Sequence, residues 1–252
     1  MTGLTTGLLP GGLDGLTYLA MGGMVLVGAC LQGVSGLGFA MFCAPIAALL
    51  FPELVPGPLL ALSCPLALMT GLREFHSIEW HTAGHAITGR VLGTALAAAC
   101  MTVLSVQTLS LLFAALILSG VALSLKGWRV AHSARNTTLA GMASGLMGTI
   151  TSAGAPPFAL AMQHLPARRL RGTLGAVFFI GAALSLVALA MVGRMGAPEL
   201  WLSGLLMPWM VAGFVLSGRI KFLMHQHTLR PMLLALATFG ALGVLVQTWA
   251  RL

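Results

Sequence analysis

Between Leu139 and Leu165 an otherwise apolar run is cut by Gly148-Thr149-Ile150-Thr151-Ser152-Ala153-Gly154-Ala155-Pro156-Pro157. Glycine and paired prolines do not continue a helix, so the run cannot be one span. The arms on either side hold about 11 to 12 residues and at helical rise reach roughly 17 Å, near half the hydrocarbon thickness of a bilayer. That length predicts a re-entrant hairpin rather than two crossings. A second apolar region, Tyr18 to Phe51, is interrupted in the same way at Gly33-Val34-Ser35-Gly36-Leu37-Gly38.

The surrounding sequence suits lipid. Of 252 residues 58% are apolar and 7% charged, with a mean hydropathy of +0.97, whereas soluble domains carry roughly a quarter charged residues. Six uninterrupted runs have the roughly 20-residue length of a spanning helix: Pro56 to Leu72, Gly84 to Leu104, Thr108 to Leu125, Gly172 to Val192, Leu200 to Gly218 and Pro231 to Ala250. The expected fold is an all-α polytopic membrane protein. The net charge of +8 does not point to nucleic acid, because the basic residues stand singly between apolar runs and form no stripe. No Lys or Arg precedes Arg73, so the first apolar segment lacks the basic region of a secretory signal and is expected to be retained. Cys30, Cys43, Cys64 and Cys100 sit inside apolar runs without CxxC or metal-ligand spacing and read as small buried thiols.

Sliding the chain by 115 residues places Gly33 on Gly148, Gly57 on Gly172, Leu31 on Leu146 and Leu59 on Leu174. The two interrupted regions then coincide, each followed by three full spans. The order hairpin, span, span, span written twice predicts an internal duplication, residues 1–135 and 136–252, with its junction near Ser133 to Thr138. Three spans plus a hairpin that returns to its own side invert the second copy. On that plan Arg73, Arg90, Lys126, Arg129, Arg135, Arg168, Arg169, Arg171, Arg219, Lys221 and Arg230 share one side, and only Arg194 and Arg251 lie opposite, with Asp14, Glu53 and Glu199. Cytoplasmic loops hold the excess of Lys and Arg. Both termini are therefore expected in the periplasm of a bacterial cell whose inner membrane the chain spans.

Non-helical backbone at membrane depth is tolerated only where protein or a wet cavity covers it. Half-helices starting at the breaks would aim N–H groups at an anion, glycine would let it approach the backbone, and neutral side chains would add hydrogen bonds. The candidate substrate-binding residues are Gln32, Gly33, Ser35, Gly36 and Gly38 from the first break and Gly148, Thr149, Thr151, Ser152 and Gly154 from the second. The plainer alternative is helix packing, with hydroxyls bonded back to their own helices. No Asp, Glu, Lys or Arg is expected centrally in a span, which speaks against a cation pump. His76, His81 and His85, like His225 and His227, read as solvated loop residues with no metal between them. His164, at the end of the second hairpin, is the proton-sensitive candidate. No nucleophile with a base, carboxylate pair or metal constellation marks an enzyme, and no cofactor is implied. Small-residue clusters at Gly141 to Gly145 and Gly213 to Ser217 fit close helix packing or a homodimer.

The stretch Gly145-Leu146-Met147-Gly148 through Pro156-Pro157, followed by Leu165-Pro166-Ala167-Arg168-Arg169-Leu170-Arg171-Gly172-Thr173, resembles the TauE/SafE family of sulfite and organosulfonate exporters over nearly the whole chain. The resemblance implies two repeated halves and gradient-driven movement of sulfite, sulfonates such as sulfoacetate, or small carboxylates, with H+ as the expected coupling ion. It places the family's glycine-rich turn on Gly33, Gly36 and Gly38 and on Gly148 and Gly154. Members run several glycines together there; Val34, Ser35 and Leu37 in one copy and Thr149, Thr151, Ser152 and Ala153 in the other depart from that pattern. A non-transporting membrane scaffold or assembly factor is the competing reading of such tightly packed breaks.

Overall fold

A computed structural model describes residues 14–125, 131, 133–220, 238, 242, 243 and 246. Among the described residues every regular element is helical, with no strand. In chain order these are α1 (Gly15–Ser35), α2 (Gly38–Leu50), α3 (Gly57–Arg73), α4 (Trp80–Val103), α5 (Val106–Leu125), α6 (Ala134–Thr151), α7 (Pro156–Ala161), α8 (Ala167–Met191) and α9 (Ala197–Ile220). Five of the six expected spans correspond to α3, α4, α5, α8 and α9. The sixth, Pro231 to Ala250, lies outside the described residues except for four helical positions. By length and composition α1, α4, α8 and residues 197–219 of α9 can each cross a membrane. The chain is a multi-pass membrane protein. Val91, Leu92 and Leu96 of α4, Val187 and Met191 of α8 and Val215 of α9 are exposed, an apolar outer surface that lipid solvates and water does not.

Three helix pairs form the frame, and glycine brings each together. Along α4 and α6, which run parallel, Gly89 and Gly93 lie on the backbone of Thr138 and Met142, and Gly141 and Gly145 on that of Ala86 and Arg90. A Cβ at any of these would overlap main chain, which is how small residues bring membrane helices into backbone contact. α1 and α9 are also parallel, with Gly22 on Trp209, Gly213 on Leu26 and Gly33 on Ser217. α3 and α8 are antiparallel, Gly57 meeting Met195 and Gly71 meeting Gly175 and Ala176. Both small-residue clusters anticipated from sequence thus pack inside the chain.

Each break has the same local chemistry. α1 ends at Ser35, whose Oγ donates to the Leu31 carbonyl (2.8 Å) and accepts from the Leu37 N–H (3.2 Å); Gly36 follows in the left-handed region, φ 82°. α6 ends at Thr151, whose Oγ1 donates to the Met147 carbonyl (2.8 Å) and accepts from the Ala153 N–H (3.1 Å); Ser152 follows at φ 62°. A hydroxyl in the last helical position satisfies its own helix and ties down the departing strand of chain. α2 then runs back along α1, with Gly28 against Phe39 and Cys43. The arms of the second break are unequal, 18 residues in α6 and six in α7, and not the matched arms of 11 to 12 expected from hydropathy. The Ser133 hydroxyl accepts from the Asn136 N–H (3.2 Å) and so caps α6 ahead of the apolar run, a start that apolar length does not reveal.

One end of the bundle is basic and ion-paired. Glu74 bonds Arg171 (2.8 Å) and Arg168 (3.4 Å), and Glu79 bonds Arg169 (2.7 Å), joining the loop after α3 to the start of α8. Burial pushes the Glu74 carboxyl up, but the Arg171 hydrogen bond and the charges of Arg171 and Arg168 outweigh it and hold the group below the usual carboxylate range. Gly36 lies on Arg171, so the end of α1 is here, as is Arg219 at the end of the parallel α9. Arg135 opens α6 beside the start of α4, at this same end.

Candidate anion site

A cavity of about 40 Å³ lies between the two breaks, alongside the middle of α3 and α8. A water occupies about 10–15 Å³ on the same measure, so there is room for a group of a few heavy atoms. Gln32, Leu37 and Phe39 wall it from the first break and Ser152, Gly154 and Ala155 from the second; Leu60, Ser63 and Ala67 of α3 and Phe178 and Ala182 of α8 close the sides.

Arg90 also lines this cavity and corrects two sequence expectations at once. The sequence puts it among the basic residues of one end, with no charge expected centrally in a span. In the structure α4 begins at Trp80 and Arg90 is the eleventh of its 24 residues, with 2% exposure. The polar start of the helix, Trp80-His81-Thr82, hid its true beginning, so Arg90 read as near an end. His81 and His85 likewise belong to the first turns of α4, their rings edge-on at 4.7 Å.

The guanidinium is held from two helices, α6 and α8. Nη1 donates to Ser144 Oγ of α6 (3.2 Å), Cζ lies 5.4 Å from the centre of the Phe178 ring of α8, and the side chain rests on Gly181, where a Cβ would collide with it. Nε has no hydrogen-bond partner. Ser144 in turn donates to the Gly154 carbonyl (2.5 Å), so the second break and the arginine share one polar link.

The ten residues singled out from sequence take different places. Gln32, Ser152 and Gly154 line the cavity. Gln32 Oε1 accepts from the Phe39 N–H (3.2 Å) at the start of α2, while Ser152 Oγ donates to the Pro56 carbonyl (3.0 Å). Gly148 sits 3.3 Å, by an added Cβ, from Arg90 Nη2. Gly33 faces Ser217, and its carbonyl accepts from Arg73. Gly36 turns the chain against Arg171, and Gly38 opens α2 against Leu31. Ser35 and Thr151 bond within their own breaks, and Thr149 Oγ1 pairs with Ser185 Oγ (2.8 Å) and Thr94 Oγ1 (3.3 Å). His164 is exposed in the turn after α7, outside the cavity lining. Sequence reasoning missed Arg90, Ser144 and Ser63. The available signal was an arginine flanked by Gly89 and Gly93 on the face that meets α6.

A family model described as sulfite exporter TauE/SafE matches residues 20–244. The chain belongs to the TauE/SafE family. It is therefore a member of a family of membrane transporters, not of enzymes, and its spanning helices fit that activity. Among curated proteins and among solved structures nothing matches this TauE/SafE chain.

Proposed function

We propose that this TauE/SafE protein is a secondary transporter that exports a small anion, such as sulfite, an organosulfonate or a small carboxylate, across the bacterial inner membrane through the cavity between its breaks. The observation that carries this reading is the shared wall: interrupted backbone around Gly36 and around Ser152 encloses one space. Transporter sites form where discontinuous helices meet near the bilayer midplane.

Two inverted repeats, residues 1–135 and 136–252, are supported by the helix pairs. Exchanging the repeats carries α1 onto α6 and α4 onto α9, so the parallel α1–α9 pair becomes the parallel α6–α4 pair, and the antiparallel α3–α8 pair maps onto itself. A two-fold axis in the membrane plane requires that combination. In this reading the basic, ion-paired end is cytoplasmic, the termini are periplasmic, and H+ is the coupling ion.

Flux from proteoliposomes loaded with sulfite, under an imposed pH gradient, tests the proposal. Efflux above that of protein-free vesicles, blocked by Ala182→Leu, which fills the cavity from α8, is the expected result. No flux of sulfite, sulfoacetate or formate in either direction would overturn it.

A further inference from the structure

Among the described residues the buried charge of Arg90 has no counter-charge. Of the five acidic residues, Glu74 and Glu79 are paired with Arg168, Arg171 and Arg169, Glu199 accepts from the Gly196 N–H in the first turn of α9, and Asp14 and Glu53 are exposed beyond the helix ends. An unpaired ion in a low-dielectric interior is strongly disfavoured unless something of opposite charge meets it, and intramembrane charges mark substrate pathways. Here the guanidinium, without a counter-ion, lines a cavity, Nε lacks a hydrogen-bond partner, and Gly148 and Gly181 pack close to the guanidinium without adding a polar side chain.

We propose that Arg90 is the substrate-binding cation: a compact oxyanion enters the cavity and takes the open hydrogen-bond position of its guanidinium, one fixed positive charge meeting one negative charge. This deepens the transport reading and rests on it. The planar guanidinium suits oxyanions in which oxygens share the charge, Ser63, whose hydroxyl donates to the Leu60 carbonyl, lines the same space, and the volume favours a group of sulfite size over one carrying a long tail.

A counter-charge role and a structural role make opposite predictions for Arg90→Met. Removing an unpaired buried charge and keeping the side-chain volume leaves the anion-free protein as stable or more stable. Ser144 keeps its bond to the Gly154 carbonyl. The full-length protein in detergent micelles is compared with Arg90→Met and Ala182→Leu by thermal unfolding and by calorimetric titration with sodium sulfite. The expected result is an unchanged or raised Tm for Arg90→Met, with sulfite affinity lowered roughly tenfold to a hundredfold, and loss of binding in Ala182→Leu. An Arg90→Met protein that unfolds at lower temperature or fails to insert shows that the arginine holds the helices together, which overturns the proposal. So does unchanged sulfite affinity in Arg90→Met. If Ala182→Leu binds sulfite as well as the native chain, the cavity is not the site and the transport reading through it falls as well.

Discussion

The Arg90 guanidinium lies directly on the α-carbon of Gly181, where no side chain fits. α4 and α8 touch through this contact, and the position of the charge depends on a missing methyl group 91 residues away in the chain. Gly181→Ala therefore moves the guanidinium without deleting it. Overpacking at a buried contact costs about 1–3 kcal/mol, and the displaced arginine loses its bond to Ser144. The expected outcome is a lowered Tm together with at least roughly tenfold weaker sulfite binding by calorimetry. Gly204→Ala, where an added Cβ meets nothing, should change neither.

Acid sensitivity at the basic end follows from Glu74. Its carboxyl is held below the usual range in the folded protein, so the stabilisation is fully present above the unfolded carboxylate value, about 4.3, and is lost as pH falls through the depressed folded value. Glu74→Gln should lower stability at neutral pH by about 1–3 kcal/mol, because Arg171 and Arg168 lose a charged partner. It should also flatten the acid limb of the Tm against pH curve. Thermal melts across that range measure both.

The breaks themselves are visible in the sequence, and their partners are not. Gly36 and Ser152 fall inside the two interrupted stretches because glycine, hydroxyl residues and paired prolines carry their helix-ending chemistry locally. Arg90 reads as near an end because the polar first turn of α4, packed on α6, looks like a loop when only apolar length marks a span. The sequence marks Gly33 as a candidate substrate contact, and its neighbour Ser217 lies on a helix 184 residues away; composition names the glycine but not what presses on it. Leucine at Gly33 is accordingly expected to part α1 from α9. The hydroxyls of Ser35 and Thr151 both bond inside their own turns.

Gly36→Ala should be costly for a backbone reason. An L-residue in the left-handed region costs about 1–2 kcal/mol, and the new methyl lies 3.0 Å from Arg171 Cγ. Ser152→Gly relieves the same strain at the second break but gives up the bond to the Pro56 carbonyl. The first variant should melt lower than the native protein, and the second within about 1 kcal/mol of it.

Arg169 reports the orientation of the bundle. Its side chain is 59% exposed beside Glu79, so a cysteine there is accessible to reagent from its own side of the membrane. In intact cells Arg169→Cys should resist an impermeant thiol reagent and react once the membrane is permeabilised. Labelling from the periplasm in intact cells would reverse the assignment of the basic end.

Placing Arg90 in the middle of α4 has a consequence during synthesis. An arginine at the centre of an inserting helix opposes partitioning into lipid by about 2.5–3.5 kcal/mol, which Leu, Ile and Val offset at about 0.3–0.6 each. Ser144, the hydroxyl that accepts from its guanidinium, is made 54 residues later, and Phe178 and Gly181 of α8 later still. Until those helices leave the ribosome, α4 has to keep its charge beside the translocation channel or in a water-filled dent in the bilayer. The final packing of the amino-terminal half thus waits on completion of the carboxy-terminal one.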